Sequence, residues 1–97
     1  MNTKECLEML SACKDVLRRD FGIVSMQLFG SMARGEQQYE SDIDLFVDTT
    51  TPNAFILMDA KDFLEKQTGR RVDIVRNHKS LNPKLRNRIE QDGISVF

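Results

Sequence analysis

The strongest constraint on the fold is a Gly-Ser pair that ends one apolar segment and precedes two aspartates in a second. Gly30 and Ser31 follow the segment 23–29, ten residues separate Ser31 from Asp42, and Asp44 follows two positions later. Both segments have the length and apolar character of short buried strands. Because a strand places residues two apart on the same face, Asp42 and Asp44 are expected to share one face of a sheet. The apolar residues that alternate with them then face the core.

The rest of the chain alternates between helical and strand patterns. Thr51 followed by Pro52 is typical of a helix start, and Gly69 is expected to end that helix. Asn82 followed by proline is typical of the start of the last helix. We expect one α/β domain over residues 1–97, with one sheet backed by helices. The predicted helices cover residues 3–20, 31–35, 52–67 and 83–92, and the predicted strands cover 23–29, 43–47, 72–75 and 94–97.

Composition narrows the function classes. The 97 residues include 14 basic and 15 acidic ones, a balance that argues against a protein that coats nucleic acid. No apolar run reaches the roughly 18 residues of a membrane span, and no signal peptide is recognisable, so we expect a cytoplasmic protein without membrane association. On a helix, Cys6 and Cys13 lie roughly 10 Å apart at about 1.5 Å per residue, too far for a disulfide, and we expect both to be reduced core residues.

Three aspartates are candidate metal ligands. Asp42 and Asp44 on one face repel each other unless a cation or a proton intervenes, and hard ions such as Mg²⁺, or Mn²⁺, prefer oxygen ligands. Asp73 lies within the apolar run 71–75, where an unpaired buried charge is costly. A metal ion would explain Asp73, and so would a salt bridge to the neighbouring Arg70 or Arg71. The alternative for Asp42 and Asp44 is a solvated acidic strand end.

The Gly-Ser turn and its neighbour are candidate phosphate contacts. Glycine lets the backbone approach a ligand closely, and the N–H groups after Gly30, with the Ser31 hydroxyl, suit an anion such as a triphosphate. Arg34 is a candidate phosphate contact, with an ion pair to an acid such as Glu36 as the alternative. Tyr39, in a polar loop over residues 36–41, is a candidate substrate contact. The basic residues of the last helix region are expected to form a solvated face: Lys79, Lys84, Arg86 and Arg88.

These motifs together resemble a known family. The string Leu28–Gly35, with Gly30 and Ser31 inside it, is followed by Ser41–Leu45, the segment that holds the two aspartates. This arrangement resembles the minimal nucleotidyltransferases, or MNT proteins, of the DNA polymerase β-like nucleotidyltransferase superfamily. The run 71–75 and the C-terminal segment 81–94 are also similar to their pattern, so the resemblance covers nearly the whole chain.

The resemblance implies a fold, a site and a reaction. The implied fold is the small polymerase β palm-like one, a mixed sheet of three to four strands backed by helices. The implied metal ligands are Asp42, Asp44 and Asp73, and Gly30 with Ser31 would contact the nucleotide phosphates. MNT proteins often act as antitoxins to a HEPN-domain ribonuclease toxin, which implies transfer of AMP from ATP to a tyrosine of that partner. No HEPN segment is recognisable here, so the partner is expected to be a separate protein.

Two other functions stay open at this point. The chain could be a nucleotide-binding module that neutralises its partner by contact, with little or no catalysis. It could also transfer a nucleotide to a small molecule such as an aminoglycoside, although no acceptor-binding domain is recognisable. A variant with asparagine at both Asp42 and Asp44 separates the first alternative from catalysis, because contact alone would survive the loss of the carboxylates.

Overall fold

The computed structural model describes residues 1–36 and 41–97. Tyr39 and most of the predicted polar loop, residues 37–40, lie outside the described residues. No helix in the described part is both long and apolar enough to cross a membrane. The elements in chain order are α1 Thr3–Ala12, α2 Lys14–Phe21, β1 Ile23–Phe29, α3 Gly30–Arg34, β2 Ile43–Thr49, α4 Ala54–Thr68, β3 Val72–Arg76, α5 Pro83–Asp92 and β4 Ile94–Ser95.

The four strands form one mixed sheet in the order β3-β2-β1-β4. β1 pairs antiparallel with both β2 and β4, whereas β2 and β3 pair in parallel. Parallel neighbours need a crossover connection, and α4 supplies it. The expected mixed sheet of three to four strands backed by helices is confirmed.

One face of the sheet, called the core face here, carries the main hydrophobic core. Alternate residues of each strand point to it, and α1, α2 and α4 cover it. A shift in the pairing between Ile23 and Ser25 keeps Ile23 on the core face with the buried residues further along β1. The buried side chains of this core include Cys6, Leu10, Cys13, Leu17, Ile23, Met26, Leu28, Ile43, Leu45, Val47, Ala60, Leu64 and Val72.

The opposite face, called the cleft face here, is covered only in part. Helix α5 lies against it through Ile89 and the half-buried Leu85, which pack on Phe29 and Phe46. Leu81, just before α5, is buried in the same cluster. The sheet therefore has helices on both faces, and the second core is smaller than the first.

The predicted helix over residues 3–20 is divided at Cys13, which is a correction. Cys13 has φ −91° and ψ 0°, and its N–H donates to the Leu10 carbonyl, three residues back, at 3.0 Å. The apolar spacing gave no sign of the break because Leu10, Cys13 and Leu17 are all buried on one side of both helices. Both cysteines are buried free thiols, as expected, and burial raises the pKa of Cys6 to about 11.

The start of α4 also differs from the prediction. Asn53, and not Thr51, is the N-cap: its Oδ1 accepts hydrogen bonds from the N–H groups of Phe55 at 2.9 Å and Ile56 at 3.2 Å. Pro52 therefore lies outside the helix. Asparagine is at least as favourable as threonine at the N-cap position. The proline after Thr51 indicated Thr51 as the cap, which was wrong. The cap at Asn82 and the end of α4 at Gly69 are confirmed.

The two candidate caps make a matched pair of variants. Asn53→Ala is expected to lower the free energy of unfolding by about 1 kcal/mol, because two N–H groups lose their acceptor. That loss corresponds to a fall in Tm of about 4–8 °C for a domain of this size. Thr51→Ala is expected to leave Tm within about 2 °C, the usual range for an exposed position of this kind. Thermal unfolding followed by circular dichroism measures both, and equal losses would contradict the assignment.

Candidate active site

The register of the sheet brings the central carboxylates together. Asp44 pairs with Phe29 on β1 and with Asp73 on β3. Neighbouring strands lie about 4.8 Å apart, and paired residues point to the same face. Asp44 and Asp73 therefore leave the cleft face side by side.

Contacts at the start of β3 hold this register. The Ile43 N–H donates to the Arg71 carbonyl at 2.9 Å, and the Val72 N–H donates to Glu65 Oε2 on α4 at 3.0 Å. Ile43 and Val72 form the neighbouring pair, and both are fully buried on the core face. A slip of one residue would turn every side chain of the slipped strand to the other face.

Asp42 joins the group from just before β2. Its Oδ1 lies 3.7 Å from Nε of Arg71. The suggested salt bridge from Arg71 to Asp73 is therefore replaced by one to Asp42. Asp73 is also exposed, not buried, on the edge strand β3. The premise that Asp73 is a buried charge was wrong, and the register of β2 with β3 nevertheless brings it beside Asp44.

Asp44 is the most perturbed of the three carboxylates. It is half-buried, and burial raises its pKa above the usual range, with further increases from the charges of Asp73 and Asp42. The guanidinium of Arg34 opposes this effect. A carboxyl whose pKa is raised by burial and by neighbouring charges is typical of functional sites.

The Gly-Ser turn lies directly against Asp44. Gly30 has φ +76°, a conformation that favours glycine, and a Cβ built there would collide with Asp44 Oδ2. Ser31 follows on the short helix α3. The Thr3 hydroxyl donates to the Met32 carbonyl at 2.6 Å and so ties α3 to α1. The turn and the carboxylate are thus fitted to each other, and no side chain can stand between them.

These residues line one cleft of ≈ 650 Å³, a volume within the range of small-molecule sites. Five of the six predicted site residues line it, and Asp42 lies beside it. The sequence analysis missed the other lining residues. Alternation along β3 puts Val75 on the same face as Asp73, whereas no local pattern places Arg88 in the cleft. The lining residues are Phe29, Gly30, Ser31, Arg34, Asp44, Asp73, Ile74, Val75, Leu85 and Arg88.

Arg34 lines the cleft but already has two acidic partners. Its Nε donates to Glu36 at 2.9 Å, and its Nη1 donates to Asp92 of α5 at 2.7 Å. The ion pair with Glu36 is the alternative that the sequence left open, and the one with Asp92 was not expected. An arginine has five N–H donors, so the role of Arg34 as a phosphate contact stays a prediction.

Comparison with known proteins gives the family. A model described as "Polymerase beta, Nucleotidyltransferase" matches residues 11–97. The chain belongs to this family. It is 37% identical over 95 residues to a Methanocaldococcus jannaschii protein named "putative protein adenylyltransferase", with 95% of each chain covered. A solved structure of a "putative minimal nucleotidyltransferase" matches with 33% identity and a TM-score of 0.77, over 97% of this chain and 95% of that one.

A more distant match shows the same fold. A structure described as "tri-AMPylated Shewanella oneidensis HEPN toxin in complex with MNT antitoxin" contains a chain that is 20% identical, with a TM-score of 0.67. The match covers 94% of this chain and 71% of that one. The fold and the family together make this chain a nucleotidyltransferase, and the resemblance seen in its sequence is confirmed.

The acidic residues of this nucleotidyltransferase suit a hard divalent cation. In the part of the chain that the structure describes, no three His, Cys, Asp or Glu side chains already stand in an arrangement that could hold a metal ion. The donor chemistry nevertheless fits, because Asp42, Asp44 and Asp73 offer only carboxylate oxygens. Their mutual repulsion, visible in the raised pKa of Asp44, is what a bound cation would relieve.

Gly30 and Gly35 provide a matched test of the fit between turn and carboxylate. Both have positive φ, so alanine at either position is expected to cost about 1–2 kcal/mol of folding free energy. Only Gly30→Ala also collides with Asp44, whereas the nearest atom to a Cβ at Gly35 is Thr3 Oγ1 at 3.9 Å. Urea unfolding should therefore show a larger loss for Gly30→Ala, and nucleotide transfer should be lost in that variant only. Equal behaviour of the two variants would contradict the close fit.

The raised pKa of Asp44 predicts a pH-dependent gain from Asp44→Asn. The folded protein binds a proton at Asp44 more tightly than the unfolded chain does, so the carboxyl favours folding at low pH and loses that effect as the pH rises through its folded pKa. Without divalent cations, Asp44→Asn should be more stable than the parent at pH 7, and the difference should vanish towards about pH 4, near the unfolded pKa. Tm measured from pH 4 to 8 in EDTA checks this.

Asp62→Asn, at an exposed position of α4, is the control for that series. The Tm difference between Asp62→Asn and the parent should stay small and should not rise comparably with pH. If the Tm difference between Asp44→Asn and the parent stayed constant, or fell as the pH rose, that result would contradict the electrostatic account of the site.

Proposed function

We propose that this single domain is a metal-dependent adenylyltransferase that moves AMP from ATP to a hydroxyl group of a partner protein. The observation that carries the proposal is the meeting of Asp44, Asp73 and the Gly30-Ser31 turn in one cleft, with Asp42 beside it. Carboxylates and a close backbone approach suit a phosphate bound with divalent cations. The adenylyltransferase name of the M. jannaschii relative supports AMP as the transferred group.

The site residues have separate roles in the proposed reaction. Asp42, Asp44 and Asp73 would hold Mg²⁺ or Mn²⁺, which neutralises charge on the phosphates when it is bound. The Gly30-Ser31 turn would hold the phosphates close to Asp44, because no Cβ intervenes.

The acceptor oxygen forms a bond to the α-phosphorus as the bond from that phosphorus to the bridging oxygen breaks. Pyrophosphate leaves with the electron pair. Asp73 is exposed at the open side of the cleft, where its carboxylate can take the acceptor proton. Positioning and charge neutralisation supply most of the catalysis in such transfers.

We further propose that the acceptor is a tyrosine of a HEPN-domain toxin and that its modification makes this chain an antitoxin. The named Shewanella oneidensis complex joins an MNT antitoxin with a HEPN toxin that carries AMP groups, and that supports the choice of partner. The exposure of Asp73 also supports a macromolecular acceptor, because the proton-accepting group is reachable from outside the fold.

A transfer assay tests the proposal directly. The purified chain, Mg²⁺ and ATP are incubated with the proteins encoded beside it, and intact mass is measured for an added AMP. Asp42→Asn is expected to lower the rate at least about a hundredfold, because a metal ligand contributes several kcal/mol to such transition states. EDTA should abolish transfer, and Asp62→Asn should retain it.

The acceptor assignment has its own outcomes. Phenylalanine in place of each tyrosine of the modified protein should remove the mass gain at one or a few positions. Transfer to a serine, or to a small molecule and no protein, would overturn the tyrosine assignment. Neutralisation of the partner by the Asp42→Asn variant at full potency would overturn catalysis as the mechanism.

A further inference from the structure

The cleft contains a second arginine, which comes from a different element than Arg34. Arg88 lies on α5, three residues after Leu85 and one before Ile89, at the edge of the apolar side that packs on the cleft face. It lines the cleft together with Ser31, Asp44 and Asp73. Arg88 thus belongs to the helix that lies beside Asp44 and Asp73.

The two arginines differ in their partners. Arg34 donates to Glu36 and Asp92, so its charge is largely neutralised within the protein. Arg88 makes no hydrogen bond or ion pair with any residue in the ranges 1–36 and 41–97. Among the described residues of the cleft, Arg88 is the cation that has no acidic partner.

A polyanionic nucleotide needs such a cation. The carboxylates on the sheet repel phosphate, and bound metal ions offset that repulsion only where they touch the nucleotide. The α-phosphorus has to lie at the carboxylates for the transfer to occur, so the phosphates beyond it extend away from them. A guanidinium binds phosphate oxygens through paired, charge-assisted hydrogen bonds, and it retains its charge throughout the physiological pH range.

We propose that Arg88 binds the β- and γ-phosphates of the nucleotide, the part that leaves as pyrophosphate. The inference rests on the proposed function and adds to it a residue that selects a triphosphate over a monophosphate. The bond from Arg34 to Asp92 joins α3, which begins at Gly30, to the end of the helix that carries Arg88.

Titration calorimetry with the full chain and Mg²⁺ tests this proposal with ATP and AMP as probes. Arg88→Gln is expected to weaken ATP binding by roughly ten- to a hundredfold, the usual range for hydrogen bonds to a charged group, and to leave AMP binding unchanged. Lys84→Gln is the matched control, because Lys84 is an exposed cation one turn earlier on α5 that does not line the cleft. It should leave both affinities unchanged.

A charge series keeps the test decisive if one variant is poorly folded. ATP affinity should fall in the order parent, Arg88→Lys, Arg88→Gln, Arg88→Glu. Tm should stay close to that of the parent, because Arg88 is exposed and has no partner within residues 1–36 and 41–97. A loss of Tm with no such order would assign Arg88 a structural role and overturn the proposal.

The remaining outcomes separate this inference from the proposed function. The inference alone would be overturned if the parent chain binds ATP and transfers its AMP group, and if Arg88→Gln has the same activity and the same affinity for ATP. Equal weakening of ATP and AMP would overturn the assignment to the β- and γ-phosphates. A parent that binds no nucleotide would overturn the proposed function and this inference with it.

Discussion

The parallel pairing of β2 with β3 is the constraint on which the site depends. The pairs alternate between faces: Ile43 with Val72 points into the core, and Asp44 with Asp73 points to the cleft. The apolar pairs stabilise the register that the acidic pair opposes, since two like charges side by side repel. Burial of the core-face side chains is thus what holds the carboxylates together, and α4 sets the alignment through Glu65, whose carboxylate accepts the Val72 N–H.

The cleft exists because the second face of the sheet is covered only in part. Gln27, Phe46 and Val75 form the row across the sheet next to that of Phe29, Asp44 and Asp73. Helix α5 packs on the apolar side chains of both rows, and it leaves the two carboxylates beyond its edge open. The bond between Arg34 and Asp92 then connects α5 to the turn at Gly30. One short helix therefore closes the second core and forms a wall of the site.

Much of this arrangement is predictable from the sequence, and the exceptions have physical causes. The strands and the cap at Asn82 follow from local patterns, because alternation and caps act over a few residues. The grouping of Asp44 with Asp73 does not, because it depends on the register between two strands that are distant in sequence. The break at Cys13 leaves the buried spacing intact, and a proline at the expected place concealed Asn53 as the cap. The position of Arg88 depends on which face of the sheet α5 covers. That choice is made by long-range packing, and a local charge pattern carries no trace of it.

The three clustered aspartates, Asp42, Asp44 and Asp73, would also link the stability of the fold to the binding of a cation. Burial, and then the charges of Asp73 and Asp42, raise the pKa of Asp44. A carboxyl whose pKa is raised by folding lowers the stability of the folded chain at neutral pH. A cation held by these side chains, as proposed, would offset that cost, and any ligand that binds only the folded state stabilises it by mass action. Functional sites are where local sequence rules are commonly broken: here a charged pair stands between two apolar pairs, in a strand pairing that apolar residues alone would make more stable. The fold tolerates this pair because the core-face pairs on either side of it, Ile43 with Val72 and Leu45 with Ile74, are apolar, so the stability of one face of the sheet supports the acidic cluster on the other.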